Sequence, residues 1–192
     1  MARKAKAKTD KSKPIISLEQ KLPEVPGRDP YSPPTQHLVK DNKGGYLVEK
    51  FRRPSKTLLV DQIREEVDQW RNRDYQMPAG ISPTSKRLLE WWFDESHRFE
   101  NGEAFQYYFA QREAVETVIW IYDVRGARNK FDLIPFDRLG RVSANMFTED
   151  WLRLVIKMAT GSGKTKVMSL LLAWSYFHKL YEENSELSKN FL

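Results

Sequence analysis

The sequence predicts an α/β chain in which a helical N-terminal extension with a small β-hairpin leads into a strand–loop–helix unit. Two observations support this fold class. From Lys56 onwards, apolar residues recur every three or four positions in several stretches, which is the period of amphipathic helices. Near the C-terminal end, a β-prone run at 152–156 precedes a glycine-containing turn and a further helical pattern.

The composition indicates a globular protein. The chain has 192 residues, of which 40% are hydrophobic and 12% aromatic, enough for one domain with an extension. It contains no cysteine, which excludes disulfides and cysteine-ligated metals and fits a reducing cytoplasm. No apolar run approaches the roughly 20 residues that span a bilayer, and the basic N-terminus lacks the apolar stretch of a signal peptide. We expect a cytoplasmic protein without membrane association.

The positive charge is concentrated at the N-terminus. The net charge is +6, and residues 1–14 hold six basic residues against one acidic residue, so the remaining chain carries only +1. The predicted folded part is therefore close to neutral and gives no electrostatic sign of a nucleic-acid-binding face. Residues 1–35 are rich in Lys, Pro and Ser and are predicted to form a disordered basic leader, which could add non-specific attraction to phosphates.

Residues 36–103 are predicted to form a hairpin and a helical N-terminal region. Two short apolar runs, 37–39 and 46–48, flank the turn-rich segment 41–45 and favour a small hairpin. A first helix is predicted after Lys56 and a second near Thr84. Their expected buried faces consist of Val60, Ile63, Val67 and Trp70 in the first and Leu88, Leu89, Trp92 and Phe93 in the second. We assign these aromatic residues to the core and not to a base-stacking platform.

Residues 104–192 are predicted to contain two longer helices around a strand. The first of these helices is expected from about Ala104 to Tyr122, and a connecting loop over residues 123–150. The run 152–156 is predicted to be a strand, and residues 190–192 the beginning of another. The final helix is expected to bury one face, made of Val167, Leu170, Leu171, Trp174, Phe177 and Tyr181.

The segment with the clearest chemistry is the turn between the predicted strand and the final helix. Binding a phosphate needs several N–H donors that converge on one point, and a glycine turn entering a helix supplies them from the backbone. Lys164 is expected to place its charge against the β- and γ-phosphates, and the Thr165 hydroxyl to ligate Mg²⁺. The candidate nucleotide-binding residues of this turn are Ala159, Thr160, Gly161, Ser162, Gly163, Lys164 and Thr165.

The turn matches only part of the strict phosphate-loop pattern. That pattern requires a further glycine five positions before Gly163, with four residues between the two, and Met158 stands at this position. The inner part, Gly-Ser-Gly-Lys-Thr, keeps its expected context of strand, loop and helix. His37, His97 and His178 show no metal-binding spacing, so the Mg²⁺ carried with the nucleotide is the metal that we expect.

Three strings in the chain resemble a known family. Met158–Thr165 resembles the first motif of superfamily 2 DEAD/DEAH-type helicases, which commonly opens with alanine. Lys157–Met168 closely resembles the Res-subunit-like helicase proteins of type III restriction systems, in which methionine at the Met158 position is familiar. Phe109–Thr117 is similar to the stretch that these proteins carry upstream of the loop, and this resemblance implies that Gln111 reads the adenine edge. The likeness covers roughly residues 86–192.

The resemblance implies an ATP-dependent DNA helicase or translocase. Residues 104–192 would then be the truncated start of a RecA-like helicase ATP-binding domain, with DNA and a modification or specificity subunit as partners. The family also uses an Asp-Glu pair on a later strand and an arginine from a second lobe. Glu149-Asp150 and Glu182-Glu183 are not expected at a strand end facing the phosphates. We therefore expect an N-terminal fragment that is inactive alone, whereas the intact protein would hydrolyse ATP.

Two alternatives stay open at this point. The loop could belong to another P-loop NTPase or kinase, or the chain could be an inactive truncated remnant that binds a partner. Four arginines, at positions 52, 53, 71 and 73, are candidate DNA-phosphate contacts, although arginines on exposed helix faces are ordinary.

Overall fold

The computed structural model describes residues 29–76, 80–137 and 152–191. Most of the predicted leader, Pro78, residues 138–150 of the predicted connecting loop and Leu192 lie outside these residues. The described chain combines helices with two separate two-stranded antiparallel sheets. The mixed helix-and-strand class predicted from the sequence is confirmed at this level, since both element types are present in the expected order along most of the chain.

The first sheet is the predicted hairpin. Strand β1 (Gln36–Lys40) pairs antiparallel with β2 (Tyr46–Lys50), and Leu38 lies opposite Val48. Asp41 closes the turn, because its Oδ1 accepts hydrogen bonds from the backbone N–H groups of Lys43 at 2.8 Å and of Gly45 at 2.6 Å. This Asx-type turn explains why the prediction from sequence is confirmed here.

Helix α1 (Leu58–Arg71) follows the predicted apolar spacing. Ile63, Val67 and Trp70 are buried, whereas Val60 is 39% exposed at the edge of this face. Asp61 stands in the first turn and Arg71 in the last, where each charge complements the helix dipole. The predicted face is therefore confirmed except at Val60.

Helix α2 (Pro83–Leu89) begins with a well-formed N-cap. The Ser82 hydroxyl accepts a hydrogen bond from the Ser85 N–H at 3.2 Å, and Pro83 occupies the first helical position, where its missing N–H is harmless. A π-helical turn, Glu90–Asp94, continues the helix. Leu89 is fully buried and Trp92 nearly so, which confirms the centre of the predicted stripe.

The predicted start of the third helix at about Ala104 is wrong. Residues Ala104–Phe105 form strand β4, which pairs antiparallel with β3 (His97–Arg98). Gly102, with φ of +85°, allows the chain to reverse between them. Helix α3 therefore begins only at Phe109; it runs to Ile119 and is extended by a π-helical turn, Trp120–Val124.

The predicted strand at 152–156 is also wrong for the described residues. Two short 3₁₀ turns, Lys130–Asp132 and Ile134–Phe136, precede the gap, and residues 152–158 have no regular secondary structure. β-Prone side chains form a strand only where a neighbouring strand satisfies their backbone groups. The Leu152 N–H instead donates to the Arg128 carbonyl at 3.3 Å, and Leu154, Val155 and Ile156 are exposed.

Helix α4 (Lys164–Tyr181) buries a slightly different face from the predicted one. Val167, Leu170 and Trp174 face inwards as expected, but the buried line continues to His178. His178 follows Trp174 by four positions and therefore lies on the same face of the helix. Phe177 and Tyr181 lie away from this face and are exposed. Residues 190–191 do not form the predicted strand.

The core lies between α1, α2, α3 and α4. Trp174 links two of these helices, because its indole N–H donates to the Ser85 hydroxyl at 2.8 Å. Trp70, Trp92, Trp120 and Trp174 are all buried in this cluster. Phe93 is partly buried against it, so the assignment of Trp70, Trp92 and Phe93 to the core is confirmed. Among the helices described, none is long and apolar enough to cross a membrane.

A buried carboxylate joins α1 to α3. Glu116 is fully buried and accepts hydrogen bonds from Arg71 Nε at 2.7 Å, Arg112 Nε at 2.7 Å and the Tyr75 hydroxyl at 2.8 Å. Arg52 forms a second ion pair with Glu113 on the same helix. Arg52 and Arg71 thus pair with carboxylates of the protein itself, and contact of these arginines with DNA phosphates stays a prediction.

A polar cluster ties the end of α3 to α4. Asp123 accepts hydrogen bonds from the Ser82 N–H at 3.0 Å and the Ser82 hydroxyl at 2.7 Å, and His178 Nε2 lies 3.5 Å from its Oδ1. His178 Nδ1 lies 2.7 Å from the Ser185 hydroxyl. Burial alone would raise the pKa of Asp123, but hydrogen bonds from His178, Ser85 and Ser82 outweigh burial and hold this pKa below its ordinary value.

This lowered pKa predicts a specific acid sensitivity. A carboxylate with a depressed folded-state pKa stabilises the fold above its unfolded-state value, and the contribution disappears as the pH falls through the folded-state pKa. We expect Asp123→Asn to be less stable than the unsubstituted protein near neutral pH, and the difference to shrink below about pH 4. Urea midpoints measured between about pH 7 and about pH 3 test this expectation. Parallel stability curves for the two proteins would contradict it.

Candidate functional site

The candidate phosphate-binding turn lies directly before α4. Gly161 and Gly163 both have φ of +80°, in the left-handed region that residues with a Cβ rarely adopt. Gly163 is also the N-cap of α4, so the turn enters the helix at this residue. The two glycines allow the chain to fold tightly where the helix begins.

One carbonyl group organises the turn. The Ala159 carbonyl oxygen accepts from the Ser162 N–H at 3.3 Å, the Ser162 hydroxyl at 2.6 Å and Lys164 Nζ at 3.0 Å. Lys164 Nζ also donates to the Met158 carbonyl at 3.2 Å. The lysine ammonium therefore lies across the turn, where it can exchange these carbonyl partners for an anion.

The first turn of α4 supplies further donors. The amides at the start of a helix have no intrahelical acceptor, and they carry the positive end of the helix dipole. Lys164 and Thr165 stand at this position and are exposed, as are Ala159, Thr160 and Gly161. An anion could therefore approach the turn from solvent and meet backbone N–H groups together with the lysine.

Gln111 lies against this turn. Its Nε2 donates to the Ser162 carbonyl at 3.0 Å, and its Oε1 accepts from the Tyr108 N–H at 3.0 Å. A Cβ placed on Gly163 would overlap Gln111 Nε2, so the absence of a side chain there makes room for the carboxamide. The structure thus brings together the loop and the glutamine that the sequence singled out, although 51 positions separate Gln111 from Ser162.

A cavity of about 700 Å³ opens beside the turn. Its walls include the segment 29–36, the start of α3 and residues 159–162. The Tyr108 ring lines it 5.5 Å from the ring of Tyr31, and the Arg52–Glu113 ion pair forms another part of the wall. No motif or local spacing marks Tyr31 or Tyr108. Arg52 was a candidate DNA contact and Glu113 lies in the Phe109–Thr117 string, but neither was expected beside the turn.

The described part of the predicted leader contributes to this cavity. The Pro30 carbonyl accepts a hydrogen bond from the N–H of Phe109, the first residue of α3, at 2.8 Å. Segment 29–35 therefore packs against the beginning of α3. The proline-rich stretch before the hairpin supplies wall residues that composition alone assigned to a leader.

Met158, the departure from the strict loop pattern, packs against the hydrophobic core and is only partly exposed. An apolar side chain at this position anchors the start of the turn, which a glycine could not do. No cluster of three or more potential metal-ligating side chains occurs in the ranges that the structure describes. The Mg²⁺ site predicted at Thr165 is of a different kind, because its ligands would be one hydroxyl and the phosphate oxygens of the nucleotide. Such a site needs no cluster of protein side chains.

Comparison of the chain with family models, with curated proteins and with solved structures finds no match. The resemblance to helicases stated above therefore depends on the motif strings alone.

Proposed function

We propose that residues 159–165 bind the triphosphate of ATP with Mg²⁺, and that the chain is the ATP-binding N-terminal part of an ATP-dependent DNA helicase or translocase of the type III restriction Res-like kind. The observation that carries the proposal is the exposed turn with two left-handed glycines, entering α4 beneath the Lys164 ammonium. This arrangement offers backbone donors, a dipole and a fixed cation to one anion. A cytoplasmic location is part of the same proposal.

The adjoining cavity supports a nucleotide in preference to a free phosphate. It shares residues 159–162 with the turn, so a ligand anchored there by phosphates would have its remaining groups beside Tyr108. A volume of about 700 Å³ lies within the usual range for small-molecule sites. Lys164 and Thr165 are the proposed catalytic residues, acting on the γ-phosphate charge and on Mg²⁺ respectively.

Replacing Lys164 with alanine tests the triphosphate site. We expect the substitution to weaken binding of a fluorescent ATP analogue about 10- to 100-fold, because one charge-assisted contact to the phosphates is lost. Titration in the presence and absence of Mg²⁺ measures the effect. Lys166→Ala is the matched control, since Lys166 is also exposed but its ammonium lies over the Phe105 ring, 5.7 Å from the centroid. Equal affinities for both variants would contradict the proposal.

The helicase part of the proposal needs a separate experiment. The Asp-Glu pair and the second lobe implied by the resemblance would supply hydrolysis and DNA movement. A longer version that contains them should hydrolyse ATP faster when duplex DNA is added, and Lys164→Ala should abolish this activity. Triphosphate binding without DNA stimulation would favour another P-loop NTPase or kinase. A stable monomer that binds no triphosphate would favour the inactive remnant.

A further inference from the structure

We infer that Gln111 positions the phosphate-binding turn and does not select the base; this inference rests on the proposed triphosphate site. Gln111 is only 6% exposed, and its carboxamide uses one end for helix α3 and the other for the turn. An adenine edge would need a donor and an acceptor from the same amide, both directed into open space. One N–H and the oxygen of this carboxamide are already bonded to the protein, and Gln111 is not among the residues that line the cavity beside the turn.

The orientation of the carboxamide is fixed by its neighbours. Oε1 faces an N–H donor, that of Tyr108, and Nε2 faces a carbonyl acceptor, that of Ser162. Rotating the amide by half a turn would set donor against donor and acceptor against acceptor. The same Oε1 bond closes the beginning of α3, since Gln111 is the third residue of the helix and Tyr108 its N-cap. These two hydrogen bonds hold the Gln111 carboxamide with its NH2 group facing the turn.

The bond to Ser162 orients a backbone donor. In a trans peptide the C=O and the following N–H point in opposite directions. Because the Ser162 carbonyl points towards Gln111, the Gly163 N–H points away from α3. Gln111 Nε2 also occupies the space that a Cβ on Gly163 would take, so the carboxamide contacts the turn at two successive residues. Without the Gln111 carboxamide, the Ser162–Gly163 peptide loses the hydrogen bond that fixes its orientation.

Three ligands separate positioning from base selection: ATP, GTP and inorganic tripolyphosphate, each with Mg²⁺. We expect Gln111→Leu to weaken binding of all three by the same factor of about 2 to 10, because the lost bond acts on the turn that they share. Gln106→Leu is the matched control and should leave all three affinities unchanged, since Gln106 is exposed just before α3. Calorimetry or competition against a fluorescent analogue gives the three affinities.

Two outcomes would overturn the inference. One is weaker ATP binding with unchanged tripolyphosphate binding; the other is a changed ratio of ATP to GTP affinity. A wild-type chain that binds none of the three ligands would instead defeat the proposed function itself. If circular dichroism shows that Gln111→Leu fails to fold, Gln111→Glu replaces it, because a carboxylate still accepts from the Tyr108 N–H but cannot donate to Ser162. Its added charge repels both nucleotides equally, so an unchanged ratio of ATP to GTP affinity supports positioning.

Discussion

Glu116→Ala is expected to lower the free energy of unfolding by about 3–5 kcal/mol. Glu116 is fully buried, and its two oxygens hold Arg71, Arg112 and the Tyr75 hydroxyl. Removing the carboxylate leaves two partly buried guanidinium groups and a buried hydroxyl without their shared acceptor. The positive charges of Arg71 and Arg112 remain partly buried after the negative charge of Glu116 is removed. This costs more free energy than the loss of one surface ion pair.

Urea unfolding followed by circular dichroism measures this difference. Glu100→Ala is the matched control, because Glu100 is exposed and its loss should cost less than about 0.5 kcal/mol. Similar unfolding midpoints for the two variants would show that the Glu116 cluster contributes little to the junction of α1 and α3. Because α3 also carries Gln111, a loosened junction should weaken triphosphate binding as well.

Trp174→Ala is expected to cost a similar amount, about 3–5 kcal/mol, because a large buried side chain is replaced by a cavity. Trp174 is 3% exposed, donates to Ser85 on α2, and packs edge-on against Tyr122 and His178 at ring distances of 5.5 and 5.7 Å. The substitution would therefore leave the Ser85 hydroxyl without this donor and separate α4 from α2.

The matched control for this second prediction is Trp91→Ala. Trp91 is 48% exposed, so its removal takes away surface area without opening a core cavity. Thermal unfolding of both variants, compared with the unsubstituted chain, gives the two costs. If Trp91→Ala were as destabilising as Trp174→Ala, the core between α2 and α4 would not be organised as described.

Local signals in the sequence predicted several elements well. The hairpin followed from apolar runs around a turn in which Asp41 caps the backbone. Helix α2 was expected to begin near Thr84 or Ser85, and it begins at Pro83 with Ser82 as its N-cap. Helix α1 followed from spacing alone. Each of these signals depends on residues within a few positions of one another, so the sequence contains the complete information.

The predictions that failed depended on contacts that the spacing of apolar residues does not reveal. Ala104 and Phe105 looked helical, but pairing with His97 and Arg98 across a glycine turn made them a strand. The run 152–156 has strand propensity, yet no strand of the described residues pairs with it. On α4, Phe177 and Tyr181 were predicted on the buried face because they are apolar. His178 is buried instead, since Asp123 and Ser185 provide polar partners for its ring.

The sequence by itself determined the candidate turn, because two glycines, a lysine and a threonine within seven residues specify their own backbone freedom and chemistry. Only the tertiary structure decided what surrounds it: the cavity with Tyr108 and the hydrogen bond of Gln111 to the turn. The physical reason is distance along the chain. Backbone conformation at a turn is a local property, whereas the packing of α3 against the turn arises only when the whole core forms.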